Sequence, residues 1–278
     1  MGRPPPALSV GFGYTKEGTM AMLTVENLHE MKRNGQKIAA AVVYEFQMTK
    51  ICEMAGVDVL SVGDSLGRNM LGHDHVDECT VDDMIPFARA VVRGRERAIV
   101  SVDMPTVPSA AGVEAVAAAA KRFKEEAGVD MCKIDIRTHE EELFDEVYAV
   151  QEVGLHAYPQ IGFPTQGAAR GIQGGAEVHE YVQKWAHKIE EAGAAMIDLT
   201  NVTPDIYADV CSSLRIPVIG GQAPPEADGK IQVMVSGTGY SYATIGRDDG
   251  RPDGAKFMYD VMKSIIDSIH AGNWTTRQ

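Results

Sequence analysis

Residues 53–64 have the sequence EMAGVDVLSVGD, in which a helix end, a glycine and a strand follow one another. Gly56 is placed to adopt the left-handed conformation that ends a helix, and the apolar run after it predicts a strand that starts at once. The pattern returns in EEAGVDMCKID at 125–135 and in EEAGAAMIDLT at 190–200, with spacings of 72 and 65 residues. Each spacing is about two β/α units, which is typical of a repeating α/β fold.

Short apolar runs alternate with helical segments along most of the chain. The runs are continuous in apolar character, as in parallel strands covered on both faces. Helical periodicity between them is clear at 113–126, 140–152 and 178–191. The pattern predicts an α/β fold, one (β/α)8 TIM-type barrel over residues 24–278, preferred to two domains. The predicted strands are 38–43, 57–62, 98–102, 129–134, 156–161, 195–200, 216–220 and 231–235.

The two ends of the chain differ from this pattern. Residues 1–23 predict a short N-terminal arm, because MGRPPPALSVGFGYTKEG lacks the apolar core of a signal peptide. Residues 256–271 predict an amphipathic C-terminal helix. Its apolar face is formed by Met258, Val261, Met262, Ile265, Ile266 and Ile269. This face is expected to pack either on the barrel or on a second subunit, and we expect a homo-oligomer.

Composition excludes several classes of protein. A net charge of −13 argues against nucleic acid as a partner, because binding phosphates requires basic patches. The chain has no apolar run long enough to span a membrane. Its four cysteines are widely spaced, which is unlike a disulfide framework or a structural zinc site. We therefore expect a soluble cytoplasmic protein.

Three aspartates follow consecutive predicted strands. Asp64 ends VLSVGD, Asp103 ends AIVSVD and Asp135 ends MCKID. In barrels of this class the carboxyl ends of the strands converge on the active site. Three converging carboxylates repel unless a cation lies among them, and oxygen ligands alone favour Mg2+. The alternative is that each aspartate caps the helix that follows it.

Two further side chains belong to the same predicted mouth. Lys133 lies two residues before Asp135, so both side chains point the same way. It could pair with a substrate carboxylate, form a Schiff base or neutralise the acidic cluster. Ser65, after Asp64, could help to hold a carboxylate. The loop residues His73 and His75 form an HxH pair, for which a supporting or lid role is favoured over metal ligation.

Several stretches resemble one enzyme family in sequence and in order: AGVDVLSVGDSLGRNMLGHD (55–74), TVDDMI (80–85), RAIVSVDMP (97–105), CKID (132–135), EEAGAAMIDL (190–199), RIPVIGG (215–221) and ADGKIQVM (227–234). They resemble ketopantoate hydroxymethyltransferase (3-methyl-2-oxobutanoate hydroxymethyltransferase). That family belongs to the barrel superfamily of phosphoenolpyruvate mutase and isocitrate lyase. The resemblance covers about residues 24–240, and GDSLG with the following GHD is its most specific part.

The resemblance implies a reaction and a set of ligands. Mg2+ would be held by Asp64, Asp103 and Asp135, where Asp135 replaces the family's usual glutamate. A 2-oxo acid would contact Ser65, Asp103 and Lys133. The implied chemistry is formation of a metal-stabilised enolate, followed by attack on a one-carbon unit from methylenetetrahydrofolate.

Three departures from the family pattern point to a divergent member. Thr200 stands where the family has its glutamate base, and Asp198, two residues earlier, is a possible substitute. Gln160 stands where the family has a substrate-binding histidine, and the turn at 220–225 contains two prolines. The predicted catalytic residues are thus Lys133, Asp198 and Thr200, and the predicted substrate-binding residues are Asp64, Ser65, Asp103, Lys133 and Gln160.

The altered base position leaves two alternatives to the family reaction. A retro-aldol lyase acting on another 2-oxo or 2-hydroxy acid needs its base on a substrate hydroxyl, where Tyr44 or a metal-bound water could serve. A non-catalytic protein that binds keto acids would need no base at all.

Overall fold

The structure, a computed structural model, describes residues 21–136, 140–164 and 171–273, with the side chains of residues 140–143 excepted. Its centre is a sheet of eight parallel strands in the order β7-β6-β5-β4-β3-β2-β1-β8. The strands are β1 Ile38–Val42, β2 Val59–Val62, β3 Ile99–Asp103, β4 Met131–Asp135, β5 His156–Ile161, β6 Ile197–Leu199, β7 Val218–Ile219 and β8 Gly229–Val233. The predicted (β/α)8 barrel is confirmed.

The barrel closes between β7 and β8. The backbone N–H of Asp228 donates to Val218 O at 3.2 Å, and that of Ile231 donates to Gly220 O at 3.3 Å. β8 begins at Gly229, two residues before the predicted position, and a helix starts directly after it at Met234. A Cβ at Gly229 would lie 2.1 Å from Ile38 O, so the close approach of β8 to β1 requires glycine there.

Helices surround the barrel, and most of them follow a strand. They are α1 Val25–Arg33, α2 Phe46–Met54, α3 Val81–Gly94, α4 Thr106–Ala111, α5 Val113–Arg122, α6 Glu140–Glu152, α7 Ala176–Glu191, α8 Pro204–Ser213, α9 Met234–Gly237 and α10 Gly254–His270. Gly56, Gly128 and Gly193 have φ of 87°, 77° and 80°, which confirms the predicted left-handed stops. The connection from β7 to β8, residues 220–228, contains no helix.

Helix α1 precedes β1 and is tied to the amino-terminal ends of other barrel elements. Its residues Leu28 and Met31 are buried. His29 Nε2 lies 2.7 Å from Ala195 O, and Lys32 Nζ donates to Asp228 Oδ2 at 2.7 Å. The described elements of the barrel domain begin with α1 at Val25, and most of the predicted arm 1–23 lies outside the described residues.

The predicted C-terminal helix is α10, and its apolar face is not covered by the barrel. Ile265, Ile266 and Ile269 are about half exposed, at 51%, 49% and 51%. Only Ala255 of this helix is buried. Of the two alternatives from the sequence, packing on the barrel is wrong for the chain as described.

The four cysteines are free and buried, at positions 52, 79, 132 and 211. No disulfide links them, in agreement with the wide spacing of these residues in the sequence. Among the described residues, every helix is too short or too polar to cross a bilayer.

Glu146 on α6 is a buried carboxyl whose titration should affect stability. Burial is the main cause that raises its pKa from 4.5 to about 7, although Ser109 donates to it at 3.4 Å. The folded state then holds the proton more tightly than the unfolded state, so stability is full below about pH 4.5 and falls as pH rises through 7. The shift corresponds to about 3 kcal/mol as an upper value.

Replacing Glu146 with Gln removes this titration. We compare the free energy of unfolding of the E146Q variant with that of the wild type. The difference should rise in favour of E146Q by about 1 to 3 kcal/mol from pH 5 to pH 8. Urea unfolding at both pH values measures the difference. An equal difference at the two pH values would contradict the argument.

Candidate active site

The carboxyl ends of the strands surround a cavity of about 940 Å3. Of the eight predicted site residues, six line the cavity directly: Asp64, Asp103, Lys133, Asp135, Gln160 and Thr200. Strand register explains the arrangement, because Asp103 pairs with Lys133 and Asp135 pairs with Gln160. Gln160 pairs in turn with Asp198 on β6. The structure thus brings the predicted residues to one end of the barrel.

Lys133 is the centre of the charged part of the site. Its Nζ lies 3.3 Å from Asp103 Oδ2 and 3.3 Å from Asp198 Oδ2. Burial lowers the pKa of Lys133, but the charges of Asp103, Asp198 and Asp64 outweigh burial and raise it above its ordinary value. A lysine held in this way stays protonated and is a poor nucleophile, so the geometry favours a cationic role over a Schiff base.

Asp64 shares this region with Asp103. Burial, and next the charge of Asp103, raise the pKa of Asp64 to about 7, although Lys133 opposes the shift. Two neighbouring carboxylates that are largely shielded from water are stabilised when a cation lies between them. This donor set fits a hard cation such as Mg2+.

Asp135 is more exposed to solvent than Asp64 and Asp103. It is exposed at the end of β4, and its charge is the weakest of the five influences on Asp64. Among the residues that the structure describes, no three His, Cys, Asp or Glu side chains already converge as a metal site. The assembled part of the predicted triad is the pair Asp64 and Asp103.

Ser65 is held by a short hydrogen-bond chain. Asn69 Nδ2 donates to Tyr44 Oη at 2.9 Å, and Tyr44 Oη lies 2.9 Å from Ser65 Oγ. Because Tyr44 accepts from the amide, its own hydrogen can go to Ser65 Oγ, which leaves the serine hydrogen for a ligand. A Cβ at Gly63 would lie 3.0 Å from Ser65 Oγ and 3.6 Å from Asp103 Oδ2, so glycine keeps the two groups close.

Strand β6 carries Asp198 in the floor of the site. Asp198 is 3% exposed and lies against Lys133. A Cβ at Gly220 would lie 3.2 Å from Asp198 Oδ1 and 2.9 Å from Tyr207 Oη. The hydroxyls of Tyr158 and Tyr207 are buried without a hydrogen-bond partner among the described residues. Sequence reasoning missed both tyrosines, because a tyrosine within an apolar run looks like an ordinary core residue.

Thr200 follows β6 but its hydroxyl does not face the cavity. Thr200 Oγ1 is buried, and a Cβ at Gly162 would lie 3.1 Å from it. We expect Thr200→Ala to keep turnover within about threefold of the wild type, because a threonine hydroxyl does not act as a base at neutral pH. Asp198→Asn should lower it by more than about tenfold, since Asp198 pairs with Lys133. Steady-state kinetics of both variants measure these effects. Loss of turnover in Thr200→Ala together with wild-type turnover in Asp198→Asn would contradict this assignment.

The loop after β2 adds residues to the rim. Arg68 and His75 line the cavity, whereas His73 Nδ1 is buried near Gly67. The two histidines therefore face different surroundings, His75 the cavity and His73 the interior near Gly67. Asn201 and Gln222 also line the cavity, and the sequence analysis did not single them out. Asn201 and Gln222 follow the ends of β6 and β7 within three residues, and this position in the sequence could have identified them as candidate site residues.

Comparison with known proteins identifies the family of this chain. A 3-methyl-2-oxobutanoate hydroxymethyltransferase of Geobacillus kaustophilus is 31% identical over 246 residues, which is 86% of this chain and 84% of that protein. A phosphonopyruvate hydrolase, solved with oxalate and Mg2+, matches with a TM-score of 0.60 and 14% identity, over 90% of this chain and 99% of that one.

A 2,3-dimethylmalate lyase of the phosphoenolpyruvate mutase and isocitrate lyase superfamily also has a TM-score of 0.60, with 15% identity over 89% of this chain and 99% of that one. At these identities the structural matches show a shared fold. The sequence model of ketopantoate hydroxymethyltransferase matches residues 22–270, nearly the whole described chain. The chain therefore belongs to the ketopantoate hydroxymethyltransferase family, which is a family of enzymes.

Proposed function

We propose that this chain is a Mg2+-dependent enzyme that forms the enolate of a 2-oxo acid and makes or breaks a carbon–carbon bond next to it. Hydroxymethyl transfer from methylenetetrahydrofolate to 3-methyl-2-oxobutanoate is the first candidate, because it is the reaction after which the family is named. The observation that carries the proposal is Lys133, held between Asp103 and Asp198 beside Asp64.

Asp64 and Asp103 would hold the cation, with Asp135 as the third carboxylate. When bound, Mg2+ would supply a Lewis acid for the ketone oxygen of the substrate. Lys133 has three N–H donors, and two of them are directed at Asp103 and Asp198. The third can reach the substrate carboxylate or the developing negative charge.

Ser65 and Gln160 would orient the substrate. Tyr44 fixes the Ser65 hydroxyl, so that its hydrogen is directed at an acceptor without further loss of rotational freedom. Gln160 lies on β5 between Asp135 and Asp198 in register, and it lines the same cavity. The 2-oxo acid would thus lie between the aspartates and β5.

The position of Asp198 favours a retro-aldol lyase as the second candidate function. Asp198 is nearly buried and paired with a cation, which makes it a weak base toward a carbon acid. At the end of β6 this chain has Thr200, which cannot act as a carboxylate base. Cleavage requires only that a substrate hydroxyl lose its proton, and a cation held by the aspartates would lower the pKa of that hydroxyl. Burial raises the pKa of Tyr44, so this phenol stays protonated and orients Ser65 instead of acting as the base.

A proton-exchange experiment tests the proposal. The purified protein is incubated with Mg2+ and 3-methyl-2-oxobutanoate in D2O, with and without methylenetetrahydrofolate, and followed by NMR. Exchange of the C3 proton, or the hydroxymethylated product, is the expected result for the first candidate. Mg2+-dependent binding of the 2-oxo acid without exchange would contradict the first candidate and favour the lyase. Absence of Mg2+-dependent binding would overturn both candidate functions.

We further propose that a second copy of this chain covers the apolar face of α10, giving a homo-oligomer. A continuous apolar surface of this kind is uncommon on a monomer in water. The double variant Ile265→Asp, Ile269→Asp should have a lower molar mass by light scattering. Ser264→Asp, on the polar side of the same helix, is the control. Equal masses for all three proteins would contradict the proposal.

We propose the cytoplasm as the site of this reaction. Four free, buried thiols are typical of proteins kept in a reducing compartment. The protein should keep the same fold when it is purified in an oxidising buffer and in a reducing buffer, because the four cysteines form no disulfide.

A further inference from the structure

Arg68 is a cation at the mouth of the barrel that binding of the 2-oxo acid does not use. It is exposed, and it lines the same cavity as Asp64 and Asp103. Arg68 and Lys133 are the only lysine or arginine residues that line this cavity among those described. Lys133 is already held between Asp103 and Asp198. Arg68 is therefore the cation of this cavity that remains for a further anionic group.

The guanidinium of Arg68 has no countercharge of its own. Within the described part of the chain it forms no ion pair and no side-chain hydrogen bond, although Asp74 and Asp77 line the same cavity. Other exposed arginines do have a carboxylate beside them, as Arg122 and Arg251 show. An unpaired guanidinium on a cavity wall is available to a carboxylate of a ligand.

The backbone that carries Arg68 is held on both sides. Arg68 lies in a π-helical turn that follows β2, and such turns are frequent at functional sites. A Cβ at Gly67 would lie 3.1 Å from Cys79 Cβ, so the turn packs closely on the interior. On the other side, Asn69 Nδ2 donates to Tyr44 Oη at 2.9 Å. The turn thus fixes the base of the arginine at the cavity wall.

The cavity has room for more than the 2-oxo acid. Its volume of about 940 Å3 is typical of pockets that bind drug-sized molecules, whereas the first candidate substrate is a five-carbon acid. That acid has one carboxylate, which lies within the roles already given to Lys133 and to the cation held by Asp64 and Asp103. The remaining volume, which Arg68 borders, is left for the second substrate.

The one-carbon donor of the proposed reaction carries its carboxylates far from its reactive carbon. In methylenetetrahydrofolate the methylene group bridges nitrogens beside the pterin ring, and the glutamyl carboxylates lie beyond the p-aminobenzoyl group. The methylene carbon has to reach the enolate beside Asp64 and Asp103, so the glutamyl end extends toward solvent. Arg68 is exposed at the rim of the same cavity, where that end would emerge.

Charge complementarity favours this match. Five aspartates line the cavity, and the whole chain has a net charge of −13. An anionic tail that passes Asp74 and Asp77 would be repelled unless a cation offsets them. A guanidinium binds a carboxylate through two parallel hydrogen bonds, which the ammonium of a lysine cannot reproduce.

We propose that Arg68 binds a glutamyl carboxylate of the one-carbon donor and thereby sets the affinity for that substrate. This inference rests on the proposed function, because it takes hydroxymethyl transfer as the reaction and places the 2-oxo acid at the aspartates and Lys133. Removing the charge from the ligand, or the guanidinium from the protein, should weaken binding by the same factor. Removing both should weaken it no further.

Two ligands without a transferable methylene test the proposal in the intact protein. They are 5-formyltetrahydrofolate and its diamide, in which carboxamides replace both glutamyl carboxylates. With saturating Mg2+ and 3-methyl-2-oxobutanoate, calorimetry should give the carboxylate compound a Kd about tenfold lower. In Arg68→Met the two Kd values should agree within about twofold, and Arg68→Lys should lie between. Arg93→Met, at the exposed end of α3, should keep the wild-type ratio.

Steady-state kinetics give an independent measure. Arg68→Met should raise KM for methylenetetrahydrofolate about tenfold and keep kcat within about twofold of the wild type. The reason is that a contact far from the reacting carbon is equally strong in the ground state and the transition state. A fall in kcat with an unchanged KM would contradict a role in binding the donor.

The outcomes separate this inference from the proposed function. If 5-formyltetrahydrofolate and its diamide bind equally to the wild type, the carboxylate site is wrong and the proposed function stands. If neither compound binds, hydroxymethyl transfer and this inference are both overturned. A wild-type preference that persists in Arg68→Met would place the carboxylate at another residue. Weaker binding of 3-methyl-2-oxobutanoate to Arg68→Met would place Arg68 at the 2-oxo acid, and it would also overturn the assignment.

Discussion

Replacing Lys133 with Met is expected to lower turnover by at least about a hundredfold, a loss typical of removing one electrostatic contact to a transition state. The substitution removes the cation between Asp103 and Asp198, at 3.3 Å from each. Asp198, with a side chain 5% exposed, then lies buried without its countercharge. Removing one partner of a buried ion pair costs about 3 kcal/mol of stability or more.

A second substitution separates the catalytic loss from the structural one. In the double variant Lys133→Met, Asp198→Asn the buried charge of Asp198 is removed together with that of Lys133, so the free energy of unfolding should recover in part while turnover stays low. Urea unfolding and steady-state kinetics measure the two quantities. Lys230→Met, on the exposed side of β8, is the control. Recovery of turnover to the level of Asp198→Asn alone, along with stability, would show that Lys133 has only a structural role.

Replacing Asp103 with Asn is expected to abolish Mg2+-dependent turnover and to weaken Mg2+ binding by about a hundredfold, with Asp64→Asn behaving alike. In the metal-free variant two effects on stability oppose each other. The substitution removes the charge of Asp103, which together with burial raises the pKa of Asp64 to about 7. It also removes one of the two carboxylates that pair with Lys133.

Thermal unfolding with EDTA and with Mg2+ checks this. The wild type should gain stability on adding Mg2+, and the Asp103→Asn variant should not. Asp77→Asn, which removes an exposed carboxylate from the rim of the same cavity, is the control and should still respond to Mg2+. Mg2+ stabilisation retained in Asp103→Asn would contradict Asp103 as a ligand.

The barrel was predictable because the signals for it are local. Continuous apolar runs and the glycines at 56, 128 and 193 mark the strands and helix ends within the sequence itself. The errors occur where a contact between distant residues decides. β8 starts at Gly229 because that residue packs against Ile38, which no local pattern shows.

The same distinction holds for the candidate site. Asp64 follows β2, Asp103 ends β3 and Lys133 lies two residues before the end of β4, so their convergence at the barrel mouth could be predicted from the fold. The contact of Lys133 with Asp198 depends on the register of β4, β5 and β6, and the place of Tyr207 depends on how α8 packs beneath Gly220. Neither register nor packing angle can be obtained from a single sequence.

The four buried cysteines have a consequence for studying how the barrel opens. Burial raises the pKa of Cys79 to about 11 and that of Cys211 to about 12, and it also raises the pKa of Cys52 and Cys132. Only an exposed thiolate reacts quickly with an alkylating reagent, so each thiol is protected until its surroundings unfold locally. The alkylation rate at each cysteine therefore reports the opening free energy of α2, of the loop before α3, of β4 and of α8, from the unmodified chain.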